Sequence, residues 1–185
     1  MYAVRHHRYQ SDEPAWRELH RYTGAELPCR IRPWLLDPGS LTARLIAASK
    51  DNFRVKVLQQ SWQRPHFSER RLLGMGDREL AIVREVELRC YDEPWVFARS
   101  VIPASSVQGR LRHLRKFKDS ALGAMLFSDP GMHRAPYELA RLRGDSMTLP
   151  ANLRSDEALW GRRSCFYLSD LPLMVSEIFL PAFRA

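Results

Sequence analysis

The sequence predicts an α+β fold, an antiparallel sheet of five or six strands covered by helices. Three observations lead there. Segments of apolar and polar alternation recur along the chain, two pairs of them are joined by turn-sized breaks, and the helical segments fall among them in mixed order. A length of 185 residues fits one domain, 1–185, with a core of its own.

Residues 1–30 are polar and mixed, with a short helical patch near "PAWRELHRY", and form a peripheral segment. Pro38-Gly39 makes a turn and Ser40 is a good N-cap. Leu41, Leu45 and Ala48 follow at helical spacing, so a helix begins at Leu41. Phe53, Val55 and Val57 alternate with Arg54 and Lys56, which predicts a strand ending before Pro65. Residues 65–78 read as loop. "LAIVREVELRCYDEPWVFARSVIPA" alternates on both sides of Asp92-Glu93-Pro94 and predicts a hairpin. Two helical pieces come next, the second capped at Asp119 or Ser120 with Leu122 in its first turn. "APYELARLRG" reads as a strand and 144–158 as a long loop. The C-terminal stretch from Leu159 forms a second hairpin turning at Ser169-Asp170.

Two charges break this pattern. Glu177 shares a strand face with Leu171, Leu173, Val175 and Phe179, and Arg84 shares one with Ile82, Val86, Leu88 and Cys90. A charge in an apolar row is costly unless it is paired or used. Two readings stand side by side. One is a buried Arg84–Glu177 ion pair without a ligand. The other is a closed pocket in which Arg84 clamps a carboxylate and Glu177 addresses a hydroxyl or an acidic C–H at the far end of a small anion. The first-turn amides at Leu41 and Leu122 lack intrahelical partners and suit a carboxylate, although each is more often an ordinary helix start packing its Leu inward.

The remaining features narrow the chemistry. With 29 Lys+Arg against 21 Asp+Glu, the net charge of +8 attracts anions of any kind. "GRLRHLRKFK" could cover phosphates or an anionic membrane, but a solvated helix face is the commoner meaning of such a run. No nucleic acid is expected as partner. Cys29, Cys90 and Cys165 have no metal-ligand spacing, and the six His form no ligand motif, so no metal is expected. There is no nucleophile elbow, phosphate loop or dinucleotide fingerprint, so no cofactor or covalent intermediate is expected. No apolar run is long enough to span a membrane and the start lacks a secretory h-region, which predicts a cytoplasmic protein without stable membrane insertion.

Five motifs carry a resemblance. "REVELRCYDEPWVFARSVIP" (84–103), "LGAMLF" (122–127), "LWGRRS" (159–164), "SEIFLP" (176–181) and, more loosely, "WLLDPGSLT" (34–42) stand in the order and spacing of the chorismate pyruvate-lyase family, also called chorismate lyase or 4-hydroxybenzoate synthase. The chain resembles that family over about residues 30–182. The resemblance implies a single domain of about six strands with helices on one side and an enclosed ligand. It implies a cofactor-independent lyase that splits chorismate into 4-hydroxybenzoate and pyruvate at the start of ubiquinone synthesis. The family's carboxylate-binding Arg falls on Arg84, its hydroxyl-contacting Glu on Glu177, and its two carboxylate-binding backbone amides on Leu41 and Leu122. Leu41 stands where family members carry Met, and the role runs through the backbone. Arg162 and Arg163 are secondary candidates, equally readable as surface ion-pair residues. The expected partners are chorismate and 4-hydroxybenzoate, and the expected state is a monomer. The alternative is a small-molecule sensing domain of the same fold, for which the stretch before the first motif leaves no room for a DNA-binding domain.

Overall fold

A computed structural model describes residues 12–107 and 122–184. The strands are β1 (Arg17–Glu18), β2 (Phe53–Gln63), β3 (Ala81–Cys90), β4 (Glu93–Pro103), β5 (Met132–Arg134), β6 (Glu138–Arg143), β7 (Ala158–Leu168) and β8 (Leu171–Phe179). The helices are α1 (Arg32–Leu35), α2 (Leu41–Ala48), α3 (Phe67–Leu72) and α4 (Leu122–Ser128). All eight strands join one antiparallel sheet in the order β1-β6-β7-β8-β4-β3-β2, with β5 continuing β6 along the edge of β7. The six long strands are those expected from the sequence, and the two-residue β1 and three-residue β5 extend the sheet.

Both hairpins turn on two residues with positive φ: Tyr91 and Asp92 at 50° and 61°, Ser169 and Asp170 at 50° and 64°. That conformation matches the right-handed twist of the flanking strands. The first turn sits one residue earlier than expected, so Glu93 and Pro94 belong to β4, and a bulge between Leu88 and Arg89 absorbs the offset. The α2 helix starts at Leu41 as predicted, the Ser40 hydroxyl accepting the Ala43 amide at 3.3 Å.

Two local readings change. The helical patch near Trp16 is instead the two-residue β1 paired with β6, followed by a 3-10 turn at Leu19–Arg21. Residues 65–78 contain α3, whose first-turn amides at Phe67 and Ser68 donate to the Glu13 carboxylate at 3.0 and 2.9 Å. A local cap stands beside this distant one, the Glu69 carboxylate accepting the His66 amide at 2.9 Å. The basic run 109–118 and the caps at Asp119 and Ser120 lie outside the described residues.

The sheet is covered on both faces. The α1, α2 and α4 helices lie on one, where two apolar clusters form: Trp34, Leu35, Leu45, Val86 and Leu88 in one, Ile82, Ile102, Leu126, Phe166 and Leu173 in the other. The Arg84 row runs between them. On the opposite face α3 and the 144–157 loop cover Phe97, Leu149 and Ile178 together with a buried ion network. Helix coverage on one side thus holds for α1, α2 and α4, and α3 adds to the other.

Candidate functional site

Register places the charges. Arg84 of β3 stands opposite Ser100 of β4, which stands opposite Val175 of β8, and Val175 faces Ser164 of β7. Two residues along, Val86, Ala98, Glu177 and Arg162 form the next row on the same face. Apolar side chains surround both rows. The result is a polar strip in an otherwise apolar floor.

The roof comes from the helices and β5. Gly39, Leu41 and Thr42 at the start of α2 meet Leu122, Gly123 and Leu126 of α4, and Arg134 closes the side. A Cβ on Gly123 would stand 3.0 Å from the Thr42 hydroxyl, so the two helix starts can approach this closely because that residue is Gly. Floor and roof bound one pocket between the sheet and the two helix starts. Leu41, Arg84, Leu122 and Glu177 all line this one cavity.

Glu177 is not paired with Arg84. Its Oε2 lies 2.6 Å from Nε of Arg162, a residue only 1% exposed. The ion pair weighed between Arg84 and Glu177 is therefore an Arg162–Glu177 pair, while Arg84, 3% exposed, faces the cavity from two strands away. Arg162 does more than hold the carboxylate, since its Nη1 also donates to the carbonyls of Trp34 and Asp37 at 3.0 and 2.6 Å. Tyr137 holds the Leu36 carbonyl at 3.1 Å and Arg134 holds that of Pro38 at 2.9 Å. Four carbonyls in the 34–38 stretch are gripped by residues of β7, β5 and the β5–β6 link, which fixes the turn leading into α2. The Gly39 amide in turn donates to Asp37 Oδ1 at 2.6 Å.

Arg163, the neighbour of Arg162 in sequence, points to the other face by strand alternation. There it meets Glu138 at 2.6 Å, the Ser68 hydroxyl at 3.0 Å and the Trp16 ring at 4.9 Å. Neither Arg162 nor Arg163 is a surface residue, and only the first reaches the cavity. Arg134 is the charged lining residue that the sequence reading missed. Its Nε donates to the Ser164 hydroxyl at 2.9 Å, and its guanidinium lies 5.2 Å from the centre of the Phe166 ring. Burial pushes its pKa below the ordinary arginine value, the positive charge of Arg162 adds to that, and Glu177, Tyr137 and Asp37 oppose it. Among the described residues no three His, Cys, Asp or Glu cluster closely enough to hold a metal. The cavity offers guanidinium groups, a carboxylate, backbone amides and apolar walls, a set suited to a small anion with an apolar ring.

Comparison with known proteins agrees with this chemistry. A family model described as chorismate lyase matches residues 16–184. Curated relatives named "Probable chorismate pyruvate-lyase" include one from Aromatoleum aromaticum, 43% identical over 88% of this chain and 91% of its own length. Another, from Pseudomonas aeruginosa, is 42% identical over 82% and 84%. Among solved structures, a GntR-family transcriptional regulator from Bacillus cereus shares the fold with a TM-score of 0.52 at 12% identity, over 72% of this chain and 95% of that one. The effector-binding domain of the Bacillus subtilis trehalose repressor does so with a TM-score of 0.50 at 11% identity, over 71% and 94%.

Proposed function

The chain belongs to the chorismate lyase family, a family of chorismate pyruvate-lyases, and on that premise we propose that it converts chorismate to 4-hydroxybenzoate and pyruvate inside the cavity between the sheet and the α2 and α4 starts. The observation that supports this most directly is the convergence of Arg84, Glu177, Leu41 and Leu122 on one enclosed space. Arg84 takes the ring carboxylate through its planar fork, and the amides of Leu41 and Leu122 complete that end. Glu177 addresses the opposite end of the ring, where the hydroxyl-bearing carbon C4 carries the proton to be lost.

The reaction is an elimination. The C4 proton passes to Glu177, the C–H electron pair becomes the C3–C4 ring double bond, and the C3–O bond breaks with its pair on the departing enolpyruvyl oxygen. Protonation at the methylene carbon of that group gives pyruvate. Because the ring becomes aromatic, a carboxylate is base enough, and the protein's task is to orient the substrate and exclude water. Arg162 aims Glu177, and through Trp34 and Asp37 the same guanidinium sets the turn carrying the Leu41 amide. Ubiquinone synthesis, which rests on the family resemblance, and a cytoplasmic location complete the proposal. Purified, metal-free protein incubated with chorismate should yield 4-hydroxybenzoate and pyruvate in equal amounts. Absence of either product overturns the reading.

A further inference from the structure

Arg134 differs from the other cavity cation on the β7 side in one respect. Arg162 is matched by a carboxylate, Glu177, whereas among the described residues both hydrogen-bond partners of Arg134, the Ser164 hydroxyl and the Pro38 carbonyl, are neutral. A half-buried guanidinium at the cavity wall, beside a second guanidinium and, among the described residues, without a hydrogen-bonded anion, is stabilised when a ligand supplies one. Burial and the Arg162 charge already disfavour its cationic form, which an anion would reverse.

Its place matches a particular anion. Arg134 is tied to Ser164 on β7, and Glu177 projects from the adjoining strand two residues beyond the Ser164 partner Val175. Arg134 therefore stands at the Glu177 end of the cavity. Arg84 is on β3, three strand spacings from β7 in the sheet order, or about 14 Å between backbones. Chorismate has two carboxylates. One is on the ring carbon across from the hydroxyl; the other is on the ether arm attached next to the hydroxyl-bearing carbon. With the first at Arg84 and the hydroxyl at Glu177, the second lies on the Arg134 side.

We propose that Arg134 binds the enolpyruvyl carboxylate of the substrate and is the catalytic residue facing the departing group, so that it separates the dianionic substrate from the monoanionic product. This rests on the lyase reading. As the C3–O bond breaks, its electron pair settles on the enolpyruvyl oxygen, next to that carboxylate. The guanidinium faces both until carbon protonation discharges one of them. The Phe166 ring below and the Pro38 and Ser164 bonds fix its orientation, which limits reorganisation during the reaction.

The test compares two ligands on Arg134→Gln and Arg134→Lys. Loss of one charge-assisted contact predicts that Arg134→Gln lowers kcat/KM and chorismate affinity by about 10–100-fold while the 4-hydroxybenzoate Kd, measured by calorimetry, stays within about 3-fold. Arg134→Lys should recover part of the chorismate loss. Equal losses for both ligands would make Arg134 only a structural tie of Pro38 to Ser164 and overturn the proposal, as would unchanged chorismate kinetics. Wild-type protein that binds chorismate without splitting it overturns the lyase reading alone, because the ratio of the two affinities still reads the role of Arg134.

Discussion

Glu177 sits opposite Arg162 and at the hydroxyl end of the proposed ligand, and these two neighbours divide its work. Glu177→Gln keeps the shape and the Arg162 contact through the amide oxygen but removes the base. Turnover should fall by about 100-fold or more, the usual contribution of a positioned general base, while 4-hydroxybenzoate binding changes by less than about 3-fold. Arg84→Gln should do the reverse. Product affinity should weaken by about 10–100-fold through loss of a charge-assisted fork, read by titration calorimetry. Equal effects of the two variants on both quantities would refute the division of roles. Arg84 and Glu177 were legible because an ionised side chain in an apolar strand row is an exception to the alternation rule. Arg162 was legible only in part, although its position follows from the turn: six residues back from Leu168 and six forward from Leu171 bring Arg162 opposite Glu177. Arg134 carried no signal, since a cation in a polar stretch looks like any surface residue until β5 docks beside β7.

At the scale of elements, the face away from the cavity has its own logic. Val83, Glu85, Glu87 and Arg89 share the other face of β3 by alternation, and Glu85 and Glu87 are buried there. Arg99 of β4 binds Glu69 of α3 at 2.7 and 3.0 Å and Glu85 of β3 at 2.5 Å, and Gln59 of β2 donates to Glu85 at 2.6 Å. Burial alone would raise the pKa of Glu69, but the hydrogen bonds and charge of Arg99, with His66 adding to them, outweigh it and hold the carboxyl below its ordinary value. A depressed carboxylate stabilises the fold fully above its unfolded pKa of about 4.3. That contribution is lost as pH falls through the lower folded value, so chemical denaturation should show stability constant in this respect above about pH 5 and declining below about pH 4. Glu69→Gln should flatten the acid decline, and an unchanged profile would sink the argument. A second element-scale prediction concerns the end of β6. A Cβ on Gly144 would overlap the backbone oxygens of Glu157 and Ser155, which cannot swing aside. Gly144→Ala should therefore cost about 1–3 kcal/mol in a thermal or denaturant melt.

At the scale of the molecule, the net charge of +8 gives the whole surface an attraction for a dianion. If capture of chorismate governs kcat/KM, that quantity should fall as salt shortens the screening length from about 30 Å at 0.01 M to about 10 Å at 0.1 M, while kcat stays level. A kcat/KM that ignores salt would assign the charge to other work. Among the described residues no helix is long and apolar enough to cross a membrane.

By itself the sequence determined the six long strands, the two hairpins, the α2 start and the two charges on apolar faces. Each of these is written in short-range terms: a period of two, a two-residue turn, a capping hydroxyl. Tertiary structure decided what those charges meet. It separated Arg84 from Glu177 by a strand, joined Glu177 to Arg162 and the 34–38 carbonyls, brought Arg134 to the cavity wall and capped α3 with Glu13. Register and docking choose partners far apart in sequence, and no local periodicity encodes them.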